Sequence, residues 1–187
     1  MTTATLTPTR TAWTIDAAHS EVGFAVKHLM ISTVRGRFAA VSGTIEFGEG
    51  DYTDASVDVT IDAASIDTRE EKRDAHLRSA DFFDVEQFPT LTFKSRRVQG
   101  IKGDAFQLVG DLTIRDITRE VVLDVEVEGF QRDPWGNQKA GFSASTKVNR
   151  KDFGLTWNAA LETGGVLVAD EIKISLDVQL LQAERDR

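Results

Sequence analysis

Apolar residues recur at every second position through most of this chain. Val22, Phe24 and Val26 fall on one side of a run in which Glu21, Gly23 and Lys27 fall on the other, the pattern of a strand with one buried face. The same beat returns at Val57, Val59 and Ile61, at Phe106, Leu108, Leu112 and Ile114, and at Val121, Leu123, Val125 and Val127. It is longest at Ile172, Ile174, Leu176, Val178 and Leu180. Shorter runs occur at Leu91 and Phe93 after Pro89, and at Phe142, Ala144, Thr146 and Val148. The latter run follows the turn sequence Asp133-Pro134-Trp135-Gly136-Asn137. Gly48 and Gly50 sit between two alternating runs and read as a hairpin turn. Between Val34 and Phe47 the apolar positions move from even numbers, at Phe38, to odd ones, at Val41, Ile45 and Phe47. That change of parity predicts a bulge or bend near residues 39–43.

With the bent segment included, the pattern predicts an all-β domain of about eight antiparallel strands joined by short polar turns. Closed into a barrel, eight strands lose their exposed edges and enclose room for one small ligand. A two-sheet sandwich shows the same alternation, so periodicity alone does not decide closure. Residues 68–78 break the pattern. They are good helix formers, and Thr68 and Glu71 have the spacing of a capping box, which predicts a short surface helix. Phe82, Phe83 and Phe88 follow it and are expected to pack over an end of the barrel. A second irregular stretch, residues 155–165, holds Trp157 and Gly164-Gly165 and predicts another flap.

At 187 residues, with 41% hydrophobic and 28% charged residues and no repeat or linker, the chain is expected to fold as one domain. The absence of cysteine excludes disulfides, thiolate nucleophiles and cysteine metal sites. A formal net charge of -8 repels phosphate backbones and anionic lipid surfaces, so nucleic acid is not an expected partner. The first ten residues lack the basic start and apolar stretch of a secretory signal, and no segment is long enough to span a bilayer. A cytoplasmic protein is the resulting expectation.

No glycine-rich phosphate loop, nucleophile elbow or zinc-protease helix is present. The three histidines, His19, His28 and His76, lie on separate elements without paired helical spacing, so no metal site is expected. His28 shares the parity of Phe24 and Val26 and is expected to face the interior. His19 reads as a turn residue, and His76 as a solvated position on the charged helix. The acidic residues lie mostly in turns or on outer strand faces, as in Glu120, Asp124, Glu126 and Glu128 opposite Val121 to Val127. Of the 11 Phe, six are spread over different strands. They either fill a core or line a lumen.

Several short motifs follow one another along the chain. They are Trp13-Thr14-Ile15-Asp16 with His19-Ser20, Val22-Gly23-Phe24-Ala25-Val26-Lys27-His28, and Val34-Arg35-Gly36-Arg37-Phe38. Ser65-Ile66-Asp67-Thr68 follows, then Arg73-Asp74-Ala75-His76-Leu77-Arg78-Ser79-Ala80-Asp81-Phe82-Phe83-Asp84, then Phe88-Pro89-Thr90-Leu91-Thr92-Phe93-Lys94-Ser95. Gly110-Asp111-Leu112-Thr113-Ile114, Gly141-Phe142 and Asn149-Arg150-Lys151-Asp152-Phe153-Gly154 complete the set. In order and spacing the chain resembles the YceI family of lipocalin-like polyisoprenoid-binding proteins. One departure is the turn after Ile114, where the family reads Arg-Gly and this chain has Arg115-Asp116; Asp is expected to tolerate the left-handed backbone there.

The resemblance implies an extended eight-stranded antiparallel barrel with one or two short capping helices. The domain would span residues 13–182, between flexible tails at 1–12 and 183–187. It also implies an apolar tunnel for a lipid such as an isoprenoid quinone or polyprenyl phosphate, with no further cofactor. Phe24, Val26, Phe38, Phe47, Phe93, Phe106 and Phe142 would line that tunnel. His28, with Arg37 or Arg150, would meet a polar head, although Arg150 and Asp152 fit a buried structural pair as well. Two other functions fit the same sequence. One is a hydrolase or isomerase using His28 as acid or base; the other is a stress-related protein-interaction module with a filled interior. An outward-facing Trp135 or Trp157 would offer a contact for a homodimer.

Overall fold

The computed structural model describes residues 9–184. In chain order the strands are β1 (Arg10–Ile15), β2 (Glu21–His28), β3 (Ser32–Phe38), β4 (Val41–Gly48), β5 (Asp51–Asp62) and β6 (Ile66–Asp67). After the α-helix α1 (Glu71–Arg78) come β7 (Thr90–Lys102), β8 (Ala105–Ile114), β9 (Ile117–Arg132), β10 (Gln138–Asn149) and β11 (Val168–Gln182). Pairing begins at Arg10, ahead of the boundary expected at Trp13. No helix among the described residues is long and apolar enough to cross a membrane.

Eight strands form a closed antiparallel ring in the order β1-β4-β5-β7-β8-β9-β10-β11, sealed where Trp13 to Ile15 pair with Gln182 to Leu180. The remaining three strands lengthen the ring. β2 continues β1 along the same edge of β11, and β3 continues β4 while pairing with β2 and β6. The first break follows Ile15, where Asp16 accepts a hydrogen bond from Lys139 Nζ at 2.9 Å and lies 2.9 Å from His19 Nδ1. His19 is therefore a turn residue, and the Lys139 hydrogen bond holds the Asp16 carboxyl below its usual range. The second break is the bend expected from the parity change. At Ala39 and Ala40 the backbone leaves the ladder and donates to Ser65 O and Ser65 Oγ instead.

The alternating apolar residues point inward and their polar neighbours outward, which is how a closed sheet buries one face without a second layer. Gly110, buried on β8, shows how tightly the wall packs. A β-carbon there would meet the Phe93 ring at 2.5 Å and the Lys94 carbonyl oxygen at 2.6 Å. Gly110→Ala should destabilise the fold by about 2 kcal/mol, because the second neighbour is backbone and has little room to yield. Urea unfolding of the two proteins measures the difference.

The helix forms where expected but is capped differently. Glu70, not Thr68, is the N-cap residue, and its carboxylate accepts from the amides of Lys72 and Arg73. Thr68 is buried and gives both its amide and its hydroxyl to Asp74 Oδ1, while Arg73 donates to the Thr68 hydroxyl and carbonyl oxygens. With its hydroxyl hydrogen given to a charged acceptor and its oxygen accepting from Arg73, the Thr68 side chain is not left to accept from the free helix amides. Arg78 donates to the carbonyls of Ala64 and Ile66, which fastens the helix beside β6.

Candidate functional site: an apolar cavity inside the barrel

The barrel encloses a cavity of about 280 Å³ whose accessible wall is carbon throughout. Every run picked out by its alternation contributes to this wall, from Val22 on β2 to Leu180 on β11. Along β11 alone, the lining residues Ile172 to Leu180 cover about 26 Å of strand. The cavity is thus long and follows the barrel.

Phe24, Val26, Phe38, Phe47, Phe93, Phe106 and Phe142 all line it. They gather by location. At one end Phe47 stacks on Trp13 with centroids 5.4 Å apart, and Tyr52 stacks on Phe106 at 5.2 Å. Phe142 meets Phe47 and Tyr52 edge-on, and Phe130 leans over the same group. Toward the other end Phe38 packs against Phe24 and, edge-on, against Phe83. There the segment after α1 lays Leu77, Phe82 and Phe83 over the lumen, and Phe153 and Leu155 close it from the second flap. The two covers touch each other, since Trp157 packs edge-on against His76 at 4.6 Å and against Phe82 at 5.4 Å. Phe88 instead lies under the Arg115 guanidinium on the outside.

The three polar residues expected at a head group fare differently. Arg37 stands on the outer face, 3.6 Å from Asp67, because its neighbour Phe38 takes the inward position. His28 shares the inward parity but ends β2 beyond the cavity, and only Val26 of that pair reaches the lumen. Its ring forms no hydrogen bond with a carboxylate among the described residues. Arg150 does border the cavity and is 4% exposed, but four of its five N–H groups are already committed. Nε donates to Ala169 O at 2.9 Å, and Nη1 to Leu155 O and Trp157 O, both at 2.8 Å. Nη2 reaches Val168 O at 3.3 Å and lies 3.8 Å from Asp170, which takes the place expected of Asp152. Arg150 is a structural tie between the barrel and the flap.

Other lining residues were not foreseen. Tyr52 breaks the odd parity of Val57, Val59 and Ile61, and turns inward because the β4–β5 ladder slips between Glu46 and Gly48. At the Arg115-Asp116 turn the left-handed residue is Arg115, with φ 57°, not Asp116. Trp135 is 84% exposed at its hairpin tip, whereas Trp157 is half-buried against His76 and Phe82.

The sequence profile of the YceI-like domain matches residues 13–180. This chain belongs to the YceI-like family. Among curated relatives, the UPF0312 protein SA2479 of Staphylococcus aureus is 38% identical over 175 residues, which cover 93% of this chain and 99% of that protein. The solved YceI protein of Campylobacter jejuni is 34% identical, with a TM-score of 0.72 over 91% of this chain and 97% of its own. BcnA of Burkholderia cenocepacia is 25% identical, with a TM-score of 0.76 over 88% of this chain and 98% of its own. A polyisoprenoid binding domain from Saccharophagus degradans, implicated in plant cell wall breakdown, shares the fold alone. It has a TM-score of 0.66 at 15% identity, over 92% of this chain and 99% of that domain. A closed barrel is therefore the family architecture, and the sandwich reading falls with the β1–β11 seam.

Proposed function

We propose that this YceI-like barrel binds one long apolar chain of the polyisoprenoid class inside its lumen. A long cavity with a wall of carbon carries the reading, since such a wall rewards only apolar burial. A filled interior would have favoured a packed interaction module, and the interior is not filled. Burying a dozen carbons supplies about 10 kcal/mol before ordering and association costs are subtracted. The fold of the polyisoprenoid binding domain from Saccharophagus degradans adds support. Because four Arg150 N–H groups donate to carbonyls and Asp170 lies 3.8 Å from Nη2, the lumen offers no free cation at that residue. An uncharged head, as on a quinone, fits better than a phosphate.

A length series of prenyl alcohols tests this by calorimetric titration. From geraniol to farnesol to geranylgeraniol, affinity should rise about a hundredfold to a thousandfold with each five-carbon isoprene unit. An affinity independent of chain length would overturn the proposal.

A further inference from the structure

The tip of the β2–β3 hairpin combines features that the cavity does not explain. Leu29 and Met30 occupy the two central turn positions, both in the left-handed region, with φ 52° and 62°. Asn and Gly suit such a turn, and large apolar residues do not. Met30 is 60% exposed and Ile31 82%, with Leu29 beside them and Val166 of the flap also exposed. The tip is not loosely held. His28 pairs with Ser32, the Ile31 amide donates to His28 O, and the Leu29 amide donates to Leu167 O. A firmly built turn thus carries apolar side chains into water, next to the flap over the lumen.

Below the tip lies a cluster of cations on the outer face. In the ladder Arg35 is opposite Ala25, Ala25 is opposite Lys173, and Lys173 is opposite Lys147, with Lys27 one outward position nearer the tip. Lys27, Arg35 and Lys173 are exposed, and none forms an ion pair among the described residues. Of the acids nearby, Glu171 is paired with Lys147, and Asp170 with Arg150 and Lys151. The whole chain carries a net charge of -8. At physiological salt, however, charges more than about 8 Å from a surface are largely screened, so the near cluster governs what this end meets.

The geometry points to a docking surface for an anionic phospholipid bilayer, with Leu29, Met30 and Ile31 entering the interface and Lys27, Arg35 and Lys173 meeting the head groups. A second copy of the chain fits less well. A self-contact through this tip would bring the unpaired cations of both copies together, and a few side chains fall far short of the roughly 800 Å² per partner of a stable interface. The inference goes beyond lipid binding in the lumen and does not depend on what the lumen holds.

Co-sedimentation with vesicles tests it, using phosphatidylcholine alone and phosphatidylcholine containing one third phosphatidylglycerol. The protein should sediment with the anionic vesicles, and the doubly substituted Met30→Asp, Ile31→Asp protein should not. Lys27→Gln combined with Lys173→Gln should weaken binding to anionic vesicles by about thirtyfold and leave binding to neutral ones unchanged. Both pairs of positions are exposed, so circular dichroism should show the fold intact. Equal sedimentation of all three proteins, or none, would overturn the inference. So would analytical ultracentrifugation showing a dimer that the Met30→Asp, Ile31→Asp substitutions dissociate.

Discussion

Replacement of Arg150 by methionine will lower the stability of the fold by about 3–5 kcal/mol, which for a domain of this size is a fall of about 10 °C in Tm. The guanidinium is buried, and it serves the carbonyl oxygens of Leu155, Trp157, Val168 and Ala169 at once. Methionine fills much of the volume but offers no hydrogen to any of them, and a buried acceptor without a donor keeps its full desolvation cost. Arg150→Lys should recover little, because one ammonium cannot reach four carbonyls spread around a planar fork. Differential scanning calorimetry of the three proteins measures this. A loss below about 1 kcal/mol for Arg150→Met would show that the flap is held by other contacts.

Ala144→Trp is expected to close the lumen while sparing the fold. Ala144 lies on β10 between Phe142 and Thr146, with its methyl group toward the cavity. An indole at that point occupies space that the ligand would otherwise fill. Losing burial for three or four methylenes corresponds to about a hundredfold weaker binding. Geranylgeraniol titrations of both proteins, with circular dichroism to confirm the barrel, read the effect. Unaltered affinity in a folded Ala144→Trp protein would place the ligand outside the lumen.

The inner wall was legible in the sequence because one physical rule governs it. Each strand has one face toward the lumen, so apolar parity at Val57, Val59 and Ile61 or at Ile172 to Leu180 reports the lining directly. The bend at Ala39 and Ala40 was visible as a change of parity for the same reason. Closure was not, because the pairing of Trp13 with Gln182 joins residues with no local signal of each other. Periodicity also misleads where a strand ends or slips. His28 keeps the inward parity but lies beyond the cavity, and Tyr52 turns inward against its strand's parity at a slip in the ladder. The role of Arg150 depends on carbonyls of the irregular flap, whose path no pattern announces.

Native mass spectrometry of the protein incubated with geranylgeraniol tests lipid binding in the lumen most directly, with Ala144→Trp as the control. The predicted result is one ligand per chain on the parent protein, recovered by organic extraction, and little on Ala144→Trp. No adduct on the parent protein, or equal adducts on both, would contradict binding inside the barrel.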